Sequence, residues 1–359
     1  MNLVTFILRH SILVLIFSLL IITPLNASGN PAEDESKKPE AEGGNFIPGE
    51  FIIEHLKDSH EWHILTKKNG EHVSIPLPVI LYSQNSGLNI FMSNKLAHNH
   101  TYKGFVFSEV EKYRGKIVEV NENEEIIGLP LDLSITKTVA AMMLAALVIL
   151  LTFLRMGSMY SGKNKIIPKG LNGFLEPMIV FIRDEIAIPN IGPHKYERYM
   201  PYLLTVFFFI LINNLMGLIP FFPFGANVTG NIAITMFLAT VTFIITQISG
   251  TKTYWKHIFA TPGVPVWLSP IMIPVEIIGL FSKPFALMIR LFANITAGHI
   301  VVLSLVSLIF IFKQIWISSV SIPMVLFIDI LEILVAFLQA YVFTLLSALF
   351  IGLSAKEHH

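Results

Sequence analysis

Residues 284–299 read PFALMIRLFANITAGH. The stretch lies inside a long apolar run, yet it carries Arg290, Asn294 and His299. A charge placed at the centre of a bilayer costs at least about 2.5–3.5 kcal/mol on insertion scales. An arginine kept there needs a reason, and the rest of the chain shows that a bilayer is the right frame. The chain has 359 residues, 53% of them hydrophobic and 14% charged, against about 25% charged in an average soluble protein. Such a composition, with several long uncharged runs, is that of a membrane protein. The formal net charge is zero, so nothing argues for a nucleic-acid partner. The absence of Cys excludes disulfides, thiolate metal sites and cysteine nucleophiles.

Outward from that stretch, five hydrophobic segments follow one another, at about 134–156, 200–222, 229–249, 267–312 and 320–354. A helix crosses the hydrocarbon core with about 20 residues. The run 267–312 is about twice that length, which leaves two short passes or one strongly tilted helix. Charge asymmetry arbitrates. Arg155, Lys163, Lys165 and Lys169 follow the first segment, and Lys252, Lys256 and His257 follow the third, which marks those sides as cytoplasmic. With an outer N-terminus and Lys356 inside, the parity holds for a single long helix over 267–312. The expected fold is therefore an all-α polytopic membrane protein of five transmembrane helices, the last two long and tilted, over residues 131–359.

The segment 169–190, KGLNGFLEPMIVFIRDEIAIPN, places Phe174, Ile179, Ile182 and Ile186 at helical spacing, with Glu176, Arg183, Asp184 and Glu185 on the polar side. That is an amphipathic helix, either lying on the cytoplasmic interface or packed as an ordinary cytoplasmic helix.

Ahead of the membrane part, residues 1–29 have the layout of a signal peptide: Arg9 and His10, the run SILVLIFSLLII, and small residues at 27–29. The alternative is an uncleaved anchor helix. Residues 30–45, NPAEDESKKPEAEGGN, have the composition of a disordered linker. From 46 to 130 short apolar runs such as VSIPLPVILY and YKGFVF are broken by Pro, Gly and Asn, which predicts a small extramembrane domain with strands on the outer side. His55, His60 and His63 fall within nine residues there; their spacing matches no metal motif with a known mechanism, and exposed or structural histidines are the favoured reading.

The ionisable residues of the last two segments define the candidate site. Glu276, Lys283, Arg290 and His299 lie in the fourth, and Asp329, Glu332 and Gln339 in the fifth. Intramembrane ionisable groups mark ion paths by default, and a buried pair that only holds two helices together is the structural alternative. If the last two helices are antiparallel neighbours, Arg290 falls level with Gln339 and His299 with Glu332. Glu332 and Gln339 are seven apart and share a face, and His299 is expected to face the fifth helix. His299 and Glu332 can exchange protons, whereas Arg290 holds its proton and acts as an electrostatic gate for a passing carboxylate. Glu276, fourteen residues before Arg290, is placed on the inner side. Two offset half-paths separated by an arginine call for a moving carboxylate, and the chain has no carrier of its own.

SKPFALMIRLFANITAGH, the late ILVAFLQAYVFTLLSALF and the earlier NNLMGLIP at 213–220 closely resemble subunit a of F-type ATP synthases. The motif RLF-x-N-x-x-AG is met by Arg290, Leu291, Phe292, Asn294, Ala297 and Gly298, and the resemblance covers about 130–355. It implies a non-catalytic stator subunit of the bacterial inner membrane, carrying protons between two half-channels and a rotating c-ring, with the c-ring, the b-subunit of the peripheral stalk and the lipid bilayer as partners and no cofactor. It maps the essential arginine to Arg290 and the half-channel residues to Asn294, His299, Glu332, Gln339 and, inward, Glu276. In many bacterial members the positions of His299 and Glu332 hold Glu and His in the opposite order; an exchange at one depth preserves the pair. The signal segment and the enlarged outer domain depart from the compact family pattern. No GxxxxGK[ST] loop is present, so ATP chemistry lies elsewhere. A self-contained secondary transporter is the main alternative, but no internal repeat supports it. A membrane scaffold with Arg290 and Glu332 as a salt bridge is the third.

Overall fold

The computed structural model describes residues 58–66, 72–108, 115–121, 125–160, 170–219, 224–259, 266–312 and 314–355, with four isolated positions among or before them. The expected signal segment and linker, and His55, lie outside the described residues. The chain is mostly helical. An N-terminal β region precedes helices with the lengths and compositions of a polytopic membrane protein.

Among the described residues eight short strands build the β region: β1 (Glu61–Thr66), β2 (His72–Pro76), β3 (Pro78–Ser83), β4 (Gly87–Met92), β5 (Phe105–Phe107), β6 (Ile117–Val120), β7 (Ile126–Gly128) and β8 (Leu131–Asp132). They pair antiparallel in three sheets, β1-β2, β4-β3-β8 and β5-β6-β7. The period-two pattern of β3 sends Val79 and Leu81 inward, where they pack with Phe91, Leu96, Phe105 and Ile117 in a core separate from that of the helices. The hairpin β1-β2 behaves differently: Trp62 and Leu77 belong to the core of the helical part.

The helices are α1 (Lys137–Tyr160), α2 (Leu171–Phe181), α3 (Ile188–Ile191), α4 (Tyr196–Leu218), α5 (Ile232–Ile248), α6 (Lys252–Phe259), α7 (Ser269–Phe312) and α8 (Ile315–Ala355). By length and composition α1, α4, α7 and α8 each suffice to cross a membrane. With its 17 residues, α5 reaches that length only together with α6, from which it is bent by 105°. The run 267–312 is one helix of 44 residues, about 66 Å long at 1.5 Å per residue, so it crosses a hydrocarbon core of about 30 Å only at a steep inclination. Pro274 and Pro284 lie within it without dividing it. In a bilayer a broken helix strands backbone N–H and C=O groups that lipid cannot satisfy. The final helix starts earlier than expected, because IWISS continues it, and only 313–314 join it to α7.

The amphipathic stretch is helical from Leu171 on, with α2 running through a π-turn (Ile182–Ala187) into α3. The wide turn precedes Pro189, whose missing N–H already interrupts the i to i−4 ladder. Ile182, Ile186, Ala187 and Ile191 are buried against α4 and α8, whereas Phe174, expected on the same apolar face, is exposed. At the centre of the bundle is α4, packed by α1 and α8, while α7 packs on α5 and α8. Its buried Phe207, Phe208 and Phe209 form the middle of the core, with Phe153 of α1 meeting Phe208 edge-on at 5.2 Å between ring centroids.

Candidate functional site

Three contacts fix α7 and α8 as antiparallel neighbours. The hydroxyl of Ser321 donates to the carbonyl of Leu305 at 3.0 Å, the Glu332 carboxyl lies on Gly298, and the Lys283 ammonium stands 5.7 Å from the ring centre of Phe350. In this register Arg290 and Gln339 fall at one level, and His299 and Glu332 at another about two turns away, as the counting along the two helices requires.

The faces are less symmetrical than the depths. Arg290 and Asn294 are exposed on α7, and neither has a hydrogen bond or ion pair among the described residues. Ala286, Ala293 and Ala297 surround the arginine at i−4, i+3 and i+7 and are exposed as well. Small side chains there let another helix approach the guanidinium closely. Beside them α8 exposes Leu331, Leu334 and Leu338. Gln339, at the arginine's level, is buried, 6% exposed.

On one side of the arginine's level lies a set of buried polar groups. Glu332 Oε1 would stand 2.5 Å from a Cβ at residue 298, so only glycine admits the carboxyl there. The expectation that His299 faces the last helix is not met. Its Nε2 is 3.8 Å from the Cβ position of Gly217 on α4, so the histidine and the glutamate share a depth but face different helices. Geometry at 100° per residue fixes the angle of a side chain, not which neighbour stands at that angle. Around this level Asn213 Oδ1, Asn214 Nδ2, Thr296 Oγ1 and Glu332 Oε1 are buried without hydrogen-bond partners among the described residues. Asn213 donates to the Phe209 carbonyl at 2.8 Å, and Thr229 donates to Asn214 Oδ1 at 2.5 Å. Sequence reasoning used NNLMGLIP for resemblance and missed these asparagines as site residues, although two adjacent amides in an apolar helix were a visible signal.

On the other side, toward the start of α7, a narrow cleft opens between α5, α6, α7 and α8. Thr242, Thr246, Gln247, Tyr254 and Lys283 are its polar lining. Beyond it Glu276 is half-buried on α7, with its charge in reach of Tyr254. Among the described residues no group of three His, Asp or Glu forms a metal site.

This architecture can be set beside known proteins. A family profile described as ATP synthase A chain matches residues 139–352, more than half of the chain. The chain belongs to that family. Relatives called ATP synthase subunit a include those of Myxococcus xanthus, 51% identical over 66% of this chain and 79% of the relative, and Chloroherpeton thalassium, 51% identical over 64% of this chain and 69% of the relative. A third, from Chlorobium phaeobacteroides, is 52% identical over 64% of this chain and 68% of the relative. Residues 51–133 match a separate profile described as a domain of unknown function. Family membership makes the chain a multi-pass membrane subunit of the proton-translocating sector of ATP synthase, itself without the catalytic chemistry, working with the c-ring.

Proposed function

We propose that this chain forms two proton half-channels that meet the c-ring at Arg290, and that this arrangement couples proton flow to ATP synthesis. The observation that carries the reading is the exposure of Arg290, without a partner among the described residues, on an apolar face bordered by three alanines, between two separate polar regions of the same helix. A cation on a lipid-facing surface is costly, whereas a ring of carboxylate-bearing helices on that surface gives it a partner.

In this reading the outer half-channel runs past His299, Glu332, Asn294 and Gln339, and the buried amide and carboxyl atoms without protein partners are its water-reached wall. A proton from outside is relayed there to a rotor carboxylate, which becomes neutral and moves into the lipid. A returning neutral carboxyl releases its proton toward Glu276 through the cleft lined by Gln247, Tyr254 and Lys283. The guanidinium holds the ionised carboxylate as it passes and, staying charged, closes the direct route between the two paths. The N-terminal domain lies outside and the C-terminus inside, in a bacterial inner membrane, with the b-subunit of the stalk holding this chain against rotation. Residues 1–29 act as the signal peptide, 30–45 as a linker and 46–130 as the outer domain.

ATP-driven pumping by inverted vesicles carrying Arg290→Ala tests this, with assembly of the complex measured alongside. Pumping lost in an assembled complex is the expected result. Normal pumping refutes the gate. Loss of the assembled complex moves the decision to Arg290→Lys, which keeps the charge: pumping that this variant restores leaves the gate standing.

A further inference from the structure

Between α5 and α7 the chain turns aside. Bent by 105° from α5, α6 runs off at nearly a right angle to it. The bend sits at Gly250, where a Cβ would come 2.8 Å from the Tyr254 ring, 3.0 Å from the Trp255 indole nitrogen and 3.1 Å from the Gln247 carbonyl. Only a glycine lets the two helices close up this way. Thr251 starts the new helix: its hydroxyl accepts from the Tyr254 N–H at 3.3 Å, and its own N–H donates to the Ser354 carbonyl at the end of α8 at 3.0 Å. At 1.5 Å per residue the 17 residues of α5 reach about 25 Å, most of the ~30 Å of a hydrocarbon core. The bend therefore falls close to a membrane surface, and α6 runs along it.

The residues of α6 divide into two faces. Tyr254 and Ile258, four apart, turn inward: Ile258 is buried, and Tyr254 lines the cleft and donates to Gln247 Oε1 at 3.4 Å. Lys252, Trp255, Lys256 and Phe259 follow the i, i+3, i+4, i+7 pattern and are all exposed. Trp255 and Phe259 stack, with 6.1 Å between ring centroids and 13° between planes. Neither lysine has an ion pair among the described residues, and between residues 249 and 275 the sequence holds both of them and no Asp or Glu. In water this face would expose two stacked rings; in hydrocarbon it would strand two charges. It suits the boundary between them, where aromatic rings sit at headgroup level and ammonium groups reach the phosphates.

We propose that this face of α6 is a seat for anionic phospholipid headgroups: Lys252 and Lys256 hold the phosphates, Trp255 and Phe259 lie in the acyl boundary, and the wall of the cleft at Tyr254 is thereby fixed from the membrane side. Each lysine near an anionic surface is worth about a five-fold change in a binding constant. The proposal rests on the reading above only for the name of the leaflet, the inner one.

The chain has no cysteine, so a nitroxide on Phe259→Cys can be placed in the complete complex assembled with cysteine-free partner subunits, the apolar label standing in for the ring. In vesicles of two parts phosphatidylcholine to one part phosphatidylglycerol, the label is expected about 5–10 Å below the phosphates, relaxed more by oxygen than by a water-soluble nickel chelate. Replacing the phosphatidylglycerol by phosphatidylcholine is expected to raise the chelate's access several-fold, and the double variant Lys252→Gln, Lys256→Gln is expected to abolish that difference. Equal access in the two lipids, a label shielded by a partner subunit from chelate and oxygen alike, or a lipid difference that the double variant keeps each overturns the proposal. Should the double variant not assemble, salt decides: at about 1 M, where charges are screened beyond about 3 Å, the lipid difference must vanish. The label reads where α6 lies whatever the proton path, and a pumping-competent Arg290→Ala would refute that path while leaving this result unchanged.

Discussion

Helices α4 and α7 are both long and apolar, and they occupy opposite positions. The most apolar window of α4 has a mean hydropathy of 1.8 and is 72% buried within the chain; that of α7 reaches 2.4 and is 6% buried, and α8 resembles α7 at 2.3 and 11%. The less apolar helix is the inner one. In water this order would be reversed. In lipid the tails are as apolar as leucine, so burial in protein brings no hydrophobic gain, and polar or small side chains are what favour the interior. The buried Thr205, Asn213 and Asn214 of α4 follow that rule. Arg290 breaks it: a full charge on the exposed face of a helix more apolar than α4. The difference fits the function proposed above, in which the α7 face meets the c-ring.

The strongest way to break the comparison is to make the middle of α7 apolar. Arg290→Ala removes the exposed charge there, and if the face is only lipid-facing surface, the change stabilises the helix and leaves pumping intact. The expectation is the reverse: ATP-driven acidification by inverted vesicles falls to background while the complex stays assembled.

Next in size are changes to packing, which separate the two helices without touching protons. Phe208 of α4 is 1% exposed and meets Phe153 and Phe207 edge-on, each at 5.2 Å. Phe208→Ala is expected to destabilise the subunit by about 3–5 kcal/mol, the range for large-to-small changes in a packed core. Leu334→Ala, on the exposed face of α8, is expected to change stability by no more than about 0.5 kcal/mol. Thermal unfolding of the purified complex in detergent, followed by loss of this subunit, measures both. Equal losses would mean that the α7–α8 face is as tightly packed as α4 is.

A smaller and more local effect sharpens the picture where α7 meets α8. Gly298→Ala places a methyl 2.5 Å from the Glu332 oxygen, so the acid or the helix must shift. Pumping is expected to fall to a fraction of the wild-type rate. Glu332→Asp in the same chain, one methylene shorter, is expected to restore part of it. A double variant no better than Gly298→Ala alone would show that the two residues are not in contact.

Much of this was legible before any coordinates. Run lengths gave the helices, charge parity gave a single 44-residue α7, and counting along two antiparallel helices put Glu332 opposite 298–299. Depth follows from a rise of about 1.5 Å per residue and does not depend on neighbours. Direction does depend on them, which is why His299 was expected to face α8 and faces α4, and why Phe174 was grouped with Ile182 and is exposed. The cleft of Gln247, Tyr254 and Lys283 lies between four helices, so no local pattern announces it. The same holds for the cap that Asp58 makes on α1 and for Trp62 reaching Phe224, contacts that span 80 and 162 residues. The β region was expected as strands, but its attachment to the membrane helices rests on single residues rather than on a repeating signal.

That attachment also gives the smallest of the expected effects. His60 and Asp132 meet at 3.2 Å, and the Ser134 N–H donates to the Asp132 carboxylate at 2.9 Å, just ahead of α1. Burial pushes the Asp132 carboxyl up, but the hydrogen bonds from His60 and Ser134 together outweigh it and hold it below the usual carboxylate range. A carboxyl depressed in the folded state stabilises the fold above the pH at which the unfolded carboxyl titrates. That stability is lost as the pH falls through the lower folded value. Asp132→Asn should therefore flatten the acid limb of stability below about pH 4 and lower stability at neutral pH by about 1 kcal/mol, a typical hydrogen-bond contribution. Limited proteolysis of the N-terminal β region in intact membranes across an acid series measures it. Because α4 and α7 are held by packing rather than by this pair, their protection should stay level through the same series. If helix protection falls in step with the β region, the two unfold as one unit, and the contacts of Asp58, Ser59 and Trp62 with the helices join them rigidly.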